Sequence, residues 1–257
     1  MQLYLTVDAT HESDAAGLSR SLAHMCYRIG PASRLMRNAA PKGGVMVLTD
    51  AGCPSFQQPK QLTEDILQEC RRCRFSGVLA DFEGPSNEDS HRFLTELSQQ
   101  LRRAGKRFYV PLSRAALFPD AHVLFGTALS GGNYYQHLRH TAKELSARRI
   151  ALDLQWLRME FPLPCPSGAG RTLKPQQLKD LMTRQQPVSL FSEALCAHYF
   201  TYAQGAEHRF VLYDTEDSMV KKLRFAAELG CSGAFLLYSE ADNLPSLLQR
   251  IRKEKIL

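Results

Sequence analysis

Short apolar runs alternate with amphipathic segments along the whole chain. Seven runs have the length and composition of buried strands, at residues 3–7, 44–49, 76–82, 107–112, 122–128, 149–155 and 233–238. Helical periodicity between them predicts helices near residues 14–27, 61–73, 88–104, 134–147, 174–183 and 217–229. Such alternation is typical of parallel βα units, so the pattern predicts an α/β fold, a (β/α)8 TIM barrel.

Two segments depart from this alternation. An eighth strand is expected between residues 27 and 40, but the segment from Ile29 to Asn38 is a poor candidate, which predicts a barrel that is irregular or incomplete near its second strand. Two alternating runs within residues 197–213 predict a small β-hairpin inserted before the last strand. With 257 residues and 44% hydrophobic content, we expect a single (β/α) barrel domain over residues 1–257.

The cysteine pattern indicates where the protein works. Seven cysteines form an odd, scattered set, as expected for reduced thiols in the cytoplasm. Cys70-Arg-Arg-Cys73 has the spacing of half a zinc ribbon, but no second pair follows, so we expect neither a metal nor another cofactor. The chain has no signal-peptide pattern and no run of about 18 apolar residues, which predicts a cytoplasmic location and no membrane partner.

The net charge of +6 admits a polyanion such as nucleic acid as a partner. The basic residues, however, are spread over several predicted helices, and solvated helix faces explain them. We therefore expect no nucleic-acid partner. The composition predicts no particular oligomeric state.

The candidate chemistry lies in Phe75-Ser-Gly-Val-Leu-Ala-Asp-Phe-Glu83, an apolar run that ends in two acidic residues. Residues two apart in a strand point the same way, so Asp81 and Glu83 are predicted to project together at the carboxyl end, where a (β/α) barrel carries its active site. Two coupled carboxylates tend to separate their pKa values, leaving one able to act as general acid. The alternative is that these acids cap a following helix over residues 85–89.

The other predicted strand ends add polar residues to the same mouth. They supply Asp8, Thr49, Asp50, Ser113, Ser130, Asp153, Gln155, Ser239 and Glu240. An acidic, polar cleft in a basic protein suits hydroxyl-rich substrates, and the glycine-rich loops that bind phosphate are absent. Trp156 and Tyr238 either stack on sugar rings or pack at the rim. We take Asp8, Asp50, Gln155, Trp156, Tyr238 and Glu240 as the candidate substrate-binding residues.

Three segments carry a resemblance to a known family: Ser76-Gly-Val-Leu-Ala-Asp-Phe-Glu83, which is similar to the signature DxxDxDxE; Phe125-Gly-Thr-Ala-Leu-Ser-Gly-Gly132 with residues 149–155; and Tyr199-Phe-Thr-Tyr202 with Glu207-His208 and Tyr213-Asp214. Together they resemble glycoside hydrolase family 18, the chitinase-like TIM barrels, and within it the branch of spore-cortex peptidoglycan N-acetylglucosaminidases. The resemblance implies a carbohydrate partner, an amino-sugar glycan, and an association with spores.

The resemblance also implies substrate-assisted, retaining hydrolysis. Glu83 would protonate the leaving oxygen and later act as base toward water. Asp81 would hold the substrate's 2-acetamido group while its carbonyl oxygen attacks the anomeric carbon.

Several positions depart from the family pattern. Ser76 and Leu79 replace the first two aspartates of the signature, Phe125 stands near the position of a tyrosine that holds the acetamido group, and Leu236 or Leu237 replaces a tryptophan. Two alternatives to the hydrolase therefore stay open. One is a non-catalytic carbohydrate-binding or scaffold protein on a degenerate barrel, and the other is a barrel hydrolase of different sugar specificity.

Overall fold

The computed structural model describes residues 1–50, 56–82, 87–205, 207–241 and 243–256. Within these ranges the chain forms fourteen strands: β1 (Gln2–Val7), β2 (Leu22–Ile29), β3 (Leu35–Arg37), β4 (Val45–Thr49), β5 (Gly77–Asp81), β6 (Arg107–Pro111), β7 (His122–Gly126), β8 (Ile150–Leu154), β9 (Arg158–Leu163), β10 (Arg171–Thr172), β11 (Leu190–Ser192), β12 (Ala197–Gln204), β13 (Glu207–Tyr213) and β14 (Gly233–Leu237).

The same ranges contain seven α-helices: α1 (Glu12–Leu18), α2 (Pro59–Arg72), α3 (Glu88–Arg103), α4 (Tyr134–Leu145), α5 (Pro175–Gln185), α6 (Glu216–Leu229) and α7 (Leu244–Lys253). Helices α3 and α6 begin with capping boxes, at Asn87 and Thr215, whose side chains accept hydrogen bonds from the first turn. Of the helices described, none is long and apolar enough to cross a membrane.

Eight parallel strands close into the predicted (β/α)8 barrel. Their order around the barrel is β1, β2, β4, β5, β6, β7, β8 and β14, and β14 pairs with β1 to close it. The strands are apolar on both faces because one face lines the barrel and the other packs on helices. In β4, for example, Val45 and Val47 face inward, whereas Met46 and Leu48 pack with the helices outside.

Aromatic rings fill the barrel interior. Tyr4 stacks on Phe235 with ring centroids 5.0 Å apart, and Tyr109 meets the same ring edge-on at 5.0 Å. Leu79 of β5 and Ala151 of β8 belong to the same inner cluster. Because side chains plug the barrel, a ligand can bind only at one of its ends.

The second barrel strand differs from the sequence prediction. A helix was predicted over residues 14–27, but α1 ends at Leu18 and residues 22–29 form β2. The register between β2 and β4 shifts between His24 and Tyr27, as at a β-bulge or a similar irregularity. A bulge breaks the period-two alternation by which a strand is predicted. The poor candidate segment holds the end of β2 and the short antiparallel strand β3, so the predicted irregularity of this region is confirmed.

The predicted hairpin is observed and belongs to a larger insertion. Strands β12 and β13 pair antiparallel, from His198 opposite Tyr213 to Gln204 opposite Glu207. They form the centre of a five-stranded sheet in the order β10, β9, β13, β12, β11, which we call the insertion sheet. Three residues separate the end of β8 from the start of β9, so this sheet stands next to the carboxyl end of the barrel.

A fully buried ion pair joins the insertion sheet to the barrel. Lys222 of α6 lies with its Nζ 2.7 and 2.8 Å from the two carboxylate oxygens of Asp214, and both side chains have no exposed surface. Nζ also donates to the carbonyl of Thr127, which follows β7. The Asp214 carboxylate accepts from Ser218 Oγ and from the backbone N–H of Leu157, just before β9. The pair therefore fixes the insertion sheet relative to β7 and β8.

Replacing one member of this pair should destabilise the protein strongly, because the other charge would remain buried without a partner. We expect Lys222→Met to lower the free energy of unfolding by about 3–5 kcal/mol, as measured by denaturant titration. The control is Lys221→Met on the same helix, whose partly exposed ammonium pairs with Asp217 at 3.3 Å and should cost less than about 1 kcal/mol. Equal losses in both variants would contradict this account.

Candidate active site

Asp81 lies at the mouth of the barrel. It is the last residue of β5, and its side chain faces inward because Leu79, two residues earlier, packs in the barrel interior. Thr49 is its register partner on β4. Phe82 points outward into the core between barrel and helices. Glu83, the predicted acid, lies outside the described residues, and its role stays a prediction.

A cavity of about 380 Å³ opens beside β8 at the same end of the barrel. Its walls come from the ends of β8 and β14, the loop after β7, and strands β9 and β10 of the insertion sheet. The lining residues are Ala128, Ser130, Asp153, Leu154, Gln155, Trp156, Leu157, Arg158, Met159, Thr172, Leu237 and Glu240. Three of the predicted substrate-binding residues, Gln155, Trp156 and Glu240, are therefore brought together.

Asp153 is the ionisable group most strongly perturbed by this environment. It lies on β8, faces inward like Ala151, and accepts a hydrogen bond of 2.6 Å from Gln155 Nε2. Burial, with a smaller contribution from the negative charges of Asp81 and Glu240, raises the pKa of its carboxyl to about 6, against the lowering effect of the Gln155 hydrogen bond. The carboxyl groups of Asp81 and Glu240 are thus each within electrostatic reach of Asp153.

An aromatic and a cation form the other side of the cavity. The guanidinium of Arg158 lies 5.8 Å from the centroid of the Trp156 ring and donates a 2.8 Å hydrogen bond to the carbonyl of Glu240. Arg158 is 6% exposed. The indole Nε1 of Trp156 is buried and has no hydrogen-bond partner within the described part of the chain. A buried N–H without an acceptor is costly to the folded state.

The structure places two predicted residues away from this cavity. Asp8 follows β1 and binds its own loop, through Thr10 at 2.5 Å and His11 at 3.0 Å, and these hydrogen bonds lower the pKa of its carboxyl to about 2. Tyr238 packs beside the His11 ring, with centroids 5.3 Å apart. Asp50 directly follows β4 and is partly exposed, next to residues that the structure does not describe. A direct role of these three in substrate binding stays a prediction.

Two departures from the family pattern are located by the structure. Phe125 faces outward and packs on Tyr134 with centroids 6.2 Å apart, so it does not reach the cavity. The inward position on β7 is Gly126 instead. On β14, Leu236 is buried on the outside of the barrel, whereas Leu237 lines the cavity. Of the two leucines, Leu237 is therefore the one that faces the site.

Arg158, Met159 and Thr172 were not among the predicted site residues. They reach the cavity only because the insertion sheet folds back against the end of β8. The one available signal was Arg158, a charged residue at the start of an apolar run just after Trp156. In the described ranges, no group of three or more histidine, cysteine or acidic side chains has the arrangement of a metal site.

Solved structures match nearly the whole chain, although no protein-family model and no curated protein matches the sequence. The spore cortex-lytic enzyme SleL of Bacillus megaterium QM B1551 has 15% identity and a TM-score of 0.70, over 98% of this chain and 73% of its own. A chitinase from Chromobacterium violaceum ATCC 12472 has 15% identity and a TM-score of 0.72, over 97% and 98%. A GH18 chitinase from Cycas revoluta, in complex with (GlcNAc)3, has 12% identity and a TM-score of 0.66, over 99% of both chains.

The fold is thus a chitinase-like TIM barrel. It is the fold found in family 18 chitinases and in spore cortex-lytic enzymes, and the predicted resemblance is confirmed at this level. Identities this low establish the shared fold, and function must be argued from the site itself.

The raised pKa of Asp153 predicts a pH-dependent cost to stability. A carboxyl whose pKa is higher in the folded state binds its proton more tightly there, so stability falls as the pH rises from about 4 to about 6. Asp153→Asn removes the charge and should stabilise the protein by about 1–2 kcal/mol above pH 6, allowing for partial exposure, and by almost nothing near pH 4.

Thermal or denaturant unfolding at the two pH values measures this difference. The matched control is Asp65→Asn on α2, where Gln61 Nε2 donates to the carboxylate at 2.9 Å on the outside of the barrel. We expect no pH-dependent gain in the control. If Asp153→Asn stabilised the protein as much near pH 4 as above pH 6, burial of the Asp153 charge would not be the cause of the stabilisation.

Proposed function

We propose that the protein is a glycoside hydrolase that acts on N-acetylglucosamine-containing glycans, such as peptidoglycan or chitin-like fragments. The observation that carries this proposal is the position of Asp81, which ends β5 at the mouth of the barrel. Its charge acts on Asp153, which lines the cavity together with Gln155, Trp156 and Glu240. Carboxyl, amide and aromatic groups are the side chains that bind sugar rings. The shared fold with chitinases and cortex-lytic enzymes supports the same class of substrate.

The proposed mechanism uses two carboxyl groups and the substrate's own amide. Glu83 donates its proton to the glycosidic oxygen, and the bond between this oxygen and the anomeric carbon breaks. The acetamido carbonyl oxygen bonds to the same carbon, while Asp81 orients the amide and stabilises the positive oxazolinium ion. Water then attacks the anomeric carbon and passes a proton to the Glu83 carboxylate. The bond between the acetamido oxygen and the anomeric carbon breaks, which opens the oxazolinium ring, and the product retains the original anomeric configuration.

A second candidate is a non-catalytic carbohydrate-binding protein, and the inward positions favour it. Leu79 lies beneath Asp81 where the family signature has an aspartate, and it packs on apolar side chains. Leu237 lines the cavity in place of a tryptophan. Loss of a positioned supporting group typically lowers turnover by a factor on the order of 10 to 1000, and binding survives such losses better than catalysis.

Two substitutions separate these candidates. Glu83→Gln keeps the side-chain shape and removes the transferable proton, so it should lower kcat about 100- to 10,000-fold. Asp81→Asn should lower kcat by a factor on the order of 100, because the neutral asparagine side chain cannot stabilise the positive charge of the oxazolinium ion as a carboxylate does. The measurement is the release of reducing ends or N-acetylglucosamine from chitooligosaccharides and muropeptides by the intact protein and both variants.

The control for this experiment is Glu96→Gln on α3. Its carboxylate accepts from Gln100 Nε2 at 2.9 Å on the outside of the barrel, and its loss should leave turnover unchanged. Unchanged turnover in Glu83→Gln would remove that residue from the mechanism. Binding of the glycan without turnover by the intact protein would favour the second candidate.

A further inference from the structure

Asp153 occupies an inward position that is open on one side. Its register partners are Gly126 on β7 and Phe235 on β14. Gly126 has no side chain. If a Cβ atom were added at this position, its nearest neighbour would be Gln155 Oε1 at 3.8 Å, so the space beside Gly126 is open. Nothing from β7 therefore covers the carboxyl and amide groups at the end of β8, and both line the cavity.

The carboxyl of Asp153 is held in one orientation. Gln155 Nε2 donates to its Oδ2, and the Gln155 backbone is fixed by Thr127, whose Oγ1 accepts from Gln155 N at 3.2 Å. Thr127 also supplies the carbonyl that binds the buried ammonium of Lys222. The hydrogen bonds that hold Asp153 and Gln155 are thus connected to the buried ion pair of Lys222 and Asp214, and a fixed geometry of this kind favours binding.

The charges that face Asp153 define the class of ligand. They are the carboxylates of Asp81 from β5 and Glu240 from the turn after β14. The cation in the cavity wall, Arg158, is already bound to the Glu240 carbonyl and lies over the Trp156 ring. An anionic ligand would be repelled here, whereas hydroxyl groups can both donate to carboxylates and accept from the Gln155 amide.

We propose that Asp153 is a further substrate-binding residue of this site, which together with Gln155 binds ring hydroxyl groups of a neutral sugar beside Asp81. This inference rests on the proposed function for the kind of ligand, but it concerns binding and does not require turnover. The raised pKa of Asp153 supports it, because a carboxyl kept near the mouth at a cost in stability is typical of functional sites.

The test is the binding of N-acetylchitotetraose and cellotetraose, measured by titration calorimetry in a Glu83→Gln background that prevents turnover. Both sugars carry ring hydroxyls, so Asp153→Ala should weaken the binding of both by about 10- to 100-fold. Asp153→Asn keeps an oxygen acceptor and should lose less than about 5-fold. The control is Asp65→Ala. The Asp65 carboxylate also accepts a hydrogen bond from a glutamine, but it lies on α2, so its removal should not change the affinity.

Each result decides the question. Equal affinity of Asp153→Ala and its parent, with both folded by circular dichroism, would overturn the assignment, as would the failure of either sugar to bind the parent. If the sugars bind with the expected dependence on Asp153 but the protein that retains Glu83 does not hydrolyse N-acetylchitotetraose, the hydrolase proposal fails and the assignment stands. If the protein hydrolyses the glycan but Asp153→Ala does not change the affinity, the hydrolase proposal stands and the assignment of Asp153 fails.

Discussion

The buried pair of Lys222 and Asp214 is the interaction on which the rest of the site depends. Removing two charges from water costs several kcal/mol for each ion, and the cost is offset only where the remaining hydrogen bonds are satisfied. Here Thr127, Ser218 and the backbone of Leu157 supply those bonds. Because these partners come from the barrel, from α6 and from the start of β9, the ion pair specifies one position of the insertion sheet over the barrel end.

That position creates the cavity. A barrel mouth alone would offer Asp81 and Asp153 to open solvent, where their charges would be screened and their interaction weak. The insertion sheet adds Arg158 and Thr172 as a wall, and burial beneath it raises the pKa of Asp153. A protein with a net charge of +6 thus keeps an acidic pocket at one end, and the structural scaffold bears the resulting cost in stability.

The sequence predicted the barrel because its parallel strands are buried on both faces and are therefore continuously apolar. It failed at β2, where the register shift after His24 interrupts the alternation, and at β9, whose long pairing is with the distant strand β13. It also failed at β10 and β11, which have only two and three residues. Gln155, Trp156 and Glu240 were predicted from strand ends alone. Asp8 was not distinguishable from them by sequence, because only the structure shows that His11 and Thr10 bind its carboxylate.

Inward positions at one level of a barrel are physically interchangeable, since side chains from any strand converge on the same space. Leu79 and Leu237 bring apolar side chains inward on β5 and β14, while Asp153 brings an acid inward on β8 beside Gly126. The mouth therefore combines carboxyl acceptors on β5 and β8 with an apolar side chain on β14. For the sugar ligand that we propose, such a mouth favours orientation by hydrogen bonds over stacking, so the affinity would depend on a few fixed side chains rather than on buried area.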